Sequence, residues 1–291
     1  MHSHKAIYST APFNANYPIP DLENKKILIV GAGSGIAFSI IEELKNSNLN
    51  LYCTFHNLKP VNLDNNMYPL DISNPTSIDE LVEIFRAENI KFDSVILCTG
   101  IIDYPQTINQ RKEWNDINQV YLTNLIGPHY FILRMIPMLN NGSSVVVLSG
   151  GGASNPMKYF PAYSSSKTGI VRLVETLALE FSNFDVNINA LGPGPIKTSM
   201  TMNLLSNDKL PNEIRESISN QIPGKNGFFN GKLTARCVMW LISDTFKGVS
   251  GKFFSAQWDD WTEPAILAER GSQCGQNFSL RRVGCENSIT K

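Results

Sequence analysis

Apolar residues in this chain fall into short runs that alternate with stretches of helical spacing. Lys26–Val30 is an apolar run of strand length. A glycine-rich turn follows it. Then comes Ile36–Lys45, where Ile36, Ile40, Ile41 and Leu44 recur at the spacing of one helix face. Leu49–Phe55 predicts a second strand and Met67–Leu70 a short third one. Ser77–Glu88 predicts a helix with Ile78, Leu81, Val82 and Phe85 facing inward, and Asn74-Pro75 marks its start. Ser94–Cys98 is a fourth strand. Glu113–Leu139 is a long helical pattern that Gly127-Pro128 is expected to kink. Ser143–Leu148, Val186–Leu191 and Lys252–Ala256 complete the strands, and Tyr163–Phe181, Pro211–Ser219 and Lys232–Ser243 the helices.

Strands alternating with helices predict a mainly parallel sheet covered on both faces and joined by right-handed crossovers. The fold class expected is therefore α/β, a doubly wound Rossmann-type sheet of about seven strands. The expected division is an irregular arm over 1–24, one domain over 25–257 and a C-terminal extension over 258–291 that holds Trp258, Trp261, Arg281 and Arg282. Composition narrows the class further. The chain is 42% hydrophobic with a net charge of −1. This excludes bulk disorder and argues against a nucleic-acid partner, which needs a basic face. No apolar run approaches the length of a membrane span, and Met1–Pro20 lacks the apolar core of a signal peptide. Cys53 and Cys98 lie in apolar runs and read as buried thiols, and no cysteine spacing suggests a metal site. These absences make a cytoplasmic location the expectation.

The turn after the first run reads Gly31-Ala32-Gly33-Ser34-Gly35-Ile36. Glycine lets a phosphate approach the backbone, and the helix that follows offers unpaired N–H groups and a positive dipole end. Between the first strand and first helix of a βαβ unit, this predicts a dinucleotide site, the alternative being a tight turn with no ligand. An acid at the end of the second strand, which would hold a ribose 2′-hydroxyl, is missing, because the stretch reads Thr54-Phe55-His56-Asn57. That absence, with His56 and Lys59 as sources of positive charge, favours NADP(H) over NAD(H). Asp71, with Ile72 beside it, stands after the third strand, where a carboxylate can accept a hydrogen bond from an adenine amino group or cap its own turn.

Tyr163 and Lys167 lie one helical turn apart on the same face. A phenol titrates near pH 10, and an adjacent ammonium favours its ionised form. Such a pair can give a proton to a carbonyl oxygen as hydride arrives, or take one from an alcohol.

From Lys25 to Ala256 the chain resembles the short-chain dehydrogenase/reductase family. Gly31, Gly35 and Ala37 resemble its glycine motif, and Tyr163 and Lys167 its Tyr-x-x-x-Lys. Asn124 falls in a stretch similar to its Asn-containing helix motif. Pro193-Gly194, Ile196 and Thr198 resemble the segment that lies along the nicotinamide. The resemblance implies a nicotinamide-dependent oxidoreductase that interconverts a ketone and a secondary alcohol. Tyr163 would be the acid–base. Lys167 would lower its pKa and bind the ribose, and Asn124 would hold a water in a proton relay. It also implies a small carbonyl or alcohol substrate and a homodimer or homotetramer formed by the two long helices.

Three positions depart from the family. Val30 replaces a threonine. Leu97-Cys98-Thr99-Gly100 keeps only Gly100 of an Asn-Asn-Ala-Gly segment. Gly150 stands thirteen residues before the tyrosine, where the family has its catalytic serine. Ser149 is the replacement expected, since the glycines beside it can shift it by one place, and Ser154 is a weaker candidate. Residues 198–231 read as either an apolar substrate lid or a helical hairpin packed on the core. The rival functions are a sugar or nucleotide-sugar oxidoreductase using NAD, and a nicotinamide-binding sensor with little turnover.

Overall fold

The apolar runs pair as one parallel sheet in a computed structural model. It describes residues 19–57, 66–103, 105, 113–208, 210–220, 231–259, 261, 279 and 280. The strands are β1 (Lys26–Val30), β2 (Asn50–Phe55), β3 (Met67–Pro69), β4 (Phe92–Leu97), β5 (Leu139–Leu148), β6 (Asn187–Gly192) and β7 (Phe253–Ser255). They lie in the order β3-β2-β1-β4-β5-β6-β7, so the expected seven-stranded doubly wound sheet is what forms. The helices are α1 (Gly35–Leu44), α2 (Pro75–Ala87), α3 (Trp114–Tyr121), α4 (Gly127–Met135), α5 (Pro161–Phe181), α6 (Ser199–Leu205), α7 (Asn212–Asn220) and α8 (Gly231–Leu241).

Side chains alternate across a strand, so each central strand feeds two cores. Leu28, Val30, Val95, Leu97, Val145 and Val147 point to the face covered by α2, α4 and α5. Ile27, Ile29, Ile96, Val146 and Leu148 point to the face covered by α1 and α8. Two helices carry the start signals that their sequence promises. The Ser34 hydroxyl accepts a hydrogen bond from Ala37 N at 3.1 Å, and Asn74 Oδ1 accepts from Thr76 N at 3.0 Å. Cys53 and Cys98 are buried free thiols, as expected. Among the described residues no helix is long and apolar enough to cross a membrane.

Three features differ from the sequence expectations. The pattern over 113–139 is a continuous helical run up to β5, but its irregularity lies just before Gly127, which keeps helical angles. The run is α3, a π-helical turn over Leu122–Ile126, α4, and a short 3₁₀ turn that leads into β5. Gly127 is needed for close packing, because a Cβ there would lie 1.9 Å from the Ile72 carbonyl oxygen. β5 starts at Leu139, through a polar stretch that the alternation missed. Its register against β4 shifts between Phe92 and Ser94, where Asn140 Nδ2 donates to Asp93 Oδ1 at 2.7 Å. Finally, the α1/α8 core continues past residue 257. Trp261 is 1% exposed, its ring centroid lies 6.5 Å from that of Trp240, and its indole N–H donates to the Ala256 carbonyl. The arm over residues 1–18, Lys59, Arg281 and Arg282 lie outside the described residues.

Trp261→Ala should therefore destabilise the fold by about 3–5 kcal/mol in denaturant unfolding. Trp258→Ala, at a ring that is 46% exposed, should cost under about 1 kcal/mol. Equal effects would mean that the tail is not part of the core.

Candidate active site

The seven parallel strands all point their carboxyl ends to one edge of the sheet, and the strand order reverses between β1 and β4. A crevice opens at such a reversal. The glycine turn forms its floor. Gly31 has φ +86°, and a Cβ on it would lie 3.0 Å from Thr99 Cγ2. Gly31 N donates to Thr54 Oγ1 at 3.1 Å and Ala32 N to the Thr54 carbonyl at 2.8 Å, which ties the turn to the end of β2. Gly33 is exposed, and Ser34, Gly35 and Ile36 are half-buried at the start of α1. A Cβ on Gly35 would meet Thr198 Cγ2 at 3.1 Å, so the glycine turn and the start of α6 face each other. The Thr99 hydroxyl is shielded here and has no hydrogen-bond partner among the described residues. A dinucleotide suits this cradle: glycine where its backbone must come close, helix N–H groups for phosphate, and an unspent buried hydroxyl.

His56 follows β2 directly and is exposed. Its Nε2 lies 3.8 Å from Asp71 Oδ2. Asp71 Oδ1 accepts from Ser73 N at 2.9 Å and Ser73 Oγ at 2.7 Å, which makes it a cap of its own turn. Burial alone would raise the Asp71 pKa, but the Ser73 bonds and the His56 ring outweigh it and hold the carboxyl below its ordinary value. Ile72 is buried beside it, with its carbonyl against Gly127.

The far wall is Pro193–Thr198. Gly194 has φ +80°, and the Pro193 carbonyl accepts from Thr234 Oγ1 at 2.9 Å and Gln257 Nε2 at 3.0 Å. The Ile196 carbonyl accepts from Thr201 Oγ1, and Thr198 caps α6. Residues 198–220 form two helices, α6 and α7. Leu204 and Leu210 pack with Phe160, and around them lie Ile102, Met157, Tyr163, Leu205 and Ile214.

At the centre, α5 carries Tyr163 and Lys167. The Tyr163 hydroxyl rests on Gly150, where a Cβ would lie 2.7 Å from it. The volume at which a serine side chain would begin is thus filled by the tyrosine itself. Burial pushes the Tyr163 pKa up to about 12. Lys167 is 4% exposed, and its ammonium donates to the Leu148 carbonyl at 3.1 Å and the Thr99 carbonyl at 3.4 Å. Burial pulls the Lys167 pKa down to about 8, against a smaller opposing pull from Cys98. The lowering of the phenol pKa expected from the helix spacing is therefore absent here. The ammonium is spent on the ends of β4 and β5, and burial governs the tyrosine.

Asn124 is 1% exposed within the π-helical turn. It accepts from Ile101 N at 2.8 Å and donates to the Ile101 carbonyl at 2.9 Å and to Ser166 Oγ at 3.0 Å. Gly100 lies under Lys167, where a Cβ would stand 3.0 Å from Nζ. Ser149 is buried and donates its one proton to the Lys167 carbonyl at 2.9 Å, which fastens β5 to α5. Ser154 is exposed. Tyr163, Lys167, Asn124, Gly100 and Gly150 thus come together, and Ser149 faces the backbone of the same helix. Sequence reading missed Thr54, Thr99, Gln257 and Asp103. Each acts through a partner distant in sequence, and no local pattern marks them.

The chain matches the family model described as Enoyl-(Acyl carrier protein) reductase over residues 31–256. It is 27% identical over 245 residues to the 3-oxoacyl-(acyl-carrier-protein) reductase of Thermotoga maritima, covering 79% of this chain and 95% of that one. Among solved structures it resembles the aldohexose dehydrogenase of Thermoplasma acidophilum, with TM-score 0.72, 21% identity and coverage of 82% and 94%. It also resembles the protein BdcA, solved with NADPH, with TM-score 0.68, 18% identity and coverage of 80% and 93%.

The glycines after β5 should differ in tolerance. Gly150→Ala forces the Tyr163 hydroxyl aside and should cost about 1–3 kcal/mol in denaturant unfolding. Nothing lies within 4 Å of a Cβ on Gly151, so Gly151→Ala should stay within about 0.5 kcal/mol of the parent. The reverse order would contradict the placement of Tyr163.

Proposed function

The chain belongs to the short-chain dehydrogenase/reductase family, and from that premise we propose that it reduces a ketone with Tyr163 as the proton donor. The observation that carries this reading is the Tyr163 hydroxyl held on Gly150 by a half-buried side chain near the crevice of the glycine turn. The enzyme is a nicotinamide-dependent oxidoreductase acting on C=O or CH–OH groups. When bound, the dinucleotide supplies the hydride.

Gly31, Gly33, Ser34, Gly35 and Ile36 form the phosphate cradle in this reading. Asp71, Ile72 and His56 line the adenosine end. Gly100, Pro193, Gly194, Ile196 and Thr198 border the nicotinamide end. Burial keeps the phenol protonated, the form required to give a proton to a developing alkoxide. Lys167, charged below about pH 8, adds a cation at the strand ends and, released from the Leu148 and Thr99 carbonyls, can reach a ribose hydroxyl. Asn124 holds Ile101 at both backbone groups and so keeps the loop after β4 against α5. Ser149 supports the site by bonding the Lys167 carbonyl, and Tyr163 is the hydroxyl that meets the substrate oxygen.

The apolar residues around Tyr163 favour a ketone flanked by hydrocarbon. The Thermotoga maritima relative is named a 3-oxoacyl-(acyl-carrier-protein) reductase, which makes a 3-oxoacyl thioester the first substrate to test. The lack of an acid after β2 and the presence of His56 favour NADPH over NADH. We extend the reading to a homo-oligomer, to be read from the mass in solution. The helices α3–α5 pack side by side, with Leu125 against Gly169, and expose Trp114, Ile126, Leu133 and Leu179. Gly150 in the serine position favours one other reading, a dinucleotide-binding sensor, and turnover decides between the two.

Tyr163→Phe should lower the turnover of acetoacetyl-coenzyme A with NADPH at least about 100-fold while leaving NADPH affinity unchanged. The wild-type rate should fall as pH rises through about 8, where Lys167 loses its proton, and Lys167→Arg should abolish that limb. Near-normal turnover in Tyr163→Phe would end the assignment. His56→Asp should weaken NADPH binding at least about tenfold in calorimetry and spare NADH. Equal effects on both would remove His56 from the cofactor choice.

A further inference from the structure

The helix that carries Tyr163 and Lys167 has no cap of its own. Phe160 stands at its N-cap position and makes no side-chain cap bond. Pro161 has no N–H to satisfy, and Ser164 N is already bonded back to the Phe160 carbonyl at 3.0 Å. Tyr163 N is one of the orphan donors that every helix start leaves. It donates to Asp103 Oδ1 at 3.3 Å, from a residue 60 positions earlier in the chain. Asp103 is 8% exposed, and a carboxylate at the positive end of a helix is favourably placed.

The segment that delivers Asp103 is itself fastened. Lys167 Nζ donates to the Thr99 carbonyl, and Asn124 holds Ile101 at both N and O. Ile102 packs in the apolar group that includes Tyr163. Residues 99–103 are therefore pinned at Thr99, Ile101 and Asp103, between the π-helical turn and the first turns of α5. Asp103 is the last pin and the one that lands on the backbone of the tyrosine itself.

We propose that Asp103 is a positioning residue for the reaction: it caps α5 in place of a local cap and so fixes the Tyr163 hydroxyl over Gly150. The proposal rests on the reading of Tyr163 as proton donor. A carboxamide oxygen accepts the same bond, so the role requires an acceptor at this point and not a charge. Loss of the acceptor loosens the first turn of α5 and leaves the glycine cradle intact.

The test compares Asp103→Ala and Asp103→Asn in the full chain. It reads turnover of acetoacetyl-coenzyme A with NADPH, the calorimetric Kd for NADPH, and amide hydrogen exchange by mass spectrometry. In Asp103→Ala, kcat should fall about 10- to 100-fold, the loss typical of a misplaced catalytic group. The NADPH Kd should move less than about twofold, because the cradle residues are untouched. Exchange in peptides covering 161–165 should speed up at least about tenfold while 170–181 stays protected. Asp103→Asn should return both the rate and the exchange to within about threefold of wild type, since an N-cap works with either side chain.

Wild-type kcat and exchange in Asp103→Ala would overturn the proposal. So would a loss seen in NADPH affinity and not in kcat. Equal impairment of the Ala and Asn variants with normal exchange would overturn it as well, because the charge and not the cap would then be at work. The exchange measurement needs no substrate. If the wild-type protein shows no turnover, the Tyr163 reading fails and takes the reaction role of Asp103 with it, while exchange still decides whether Asp103 caps α5.

Discussion

The reversal of strand order between β1 and β4 governs the rest of this molecule. In a parallel sheet every strand delivers its carboxyl end to the same edge, so the turns that lead out of the strands gather there. Where neighbouring strands send their connections to opposite faces, the turns part and leave a crevice. Here β1 leads through the glycine turn to α1 on one face, and β4 leads to residues 99–103 and α3 on the other. Thr99 stands at the junction, with its methyl against Gly31 and its carbonyl on Lys167. The crevice is therefore bounded by the glycine turn and by the loop that meets Lys167, the two elements on which the proposed dinucleotide site and proton donor rest.

What holds the crevice open and in register is a set of polar contacts across the strand ends. Asn124, Lys167, Ser149 and Asp103 each join a loop after β4 or β5 to the helices beside it. Buried polar groups that are fully paired rigidify a site, and unpaired ones are costly. Among the described residues, the Thr99 hydroxyl and Gln257 Oε1 are shielded side-chain atoms of the crevice and its wall without a partner. Such atoms have a use when a polar ligand arrives. Burial of Tyr163 and Lys167 moves their pKa values to about 12 and about 8, so at neutral pH both hold their protons. A protonated phenol suits proton delivery to an alkoxide better than proton removal from an alcohol.

The strands and their faces were legible because a buried strand must be apolar and must alternate between two cores, as Ile27 to Val30 do. The start of α1 was legible in Ser34 and that of α2 in Asn74-Pro75, where local chemistry decides. The beginning of β5 was not, because Asn140, Asn141 and Gly142 break the apolar run and the register shifts where Asn140 bonds Asp93. The π-helical turn at Asn124 was not either, since its residues keep helical spacing. Tyr163, Lys167 and Asn124 could be picked from sequence, but the direction of the Lys167 side chain could not. It depends on carbonyls of two other strands. Asp103 and Gln257 left no signal because their partners, Tyr163 and Pro193, lie 60 and 64 residues away. Trp261 likewise reads as part of a tail in sequence, because its core partner, Trp240, lies on α8.

The most direct test of this account is calorimetric titration of NADPH into the wild-type chain and into Gly35→Asp. The variant places a carboxylate at the start of α1, facing Thr198. The account predicts saturable binding at one site per chain, weakened at least about 100-fold by the added charge at the phosphate cradle. No binding by the wild-type chain, or equal binding by the variant, would contradict it.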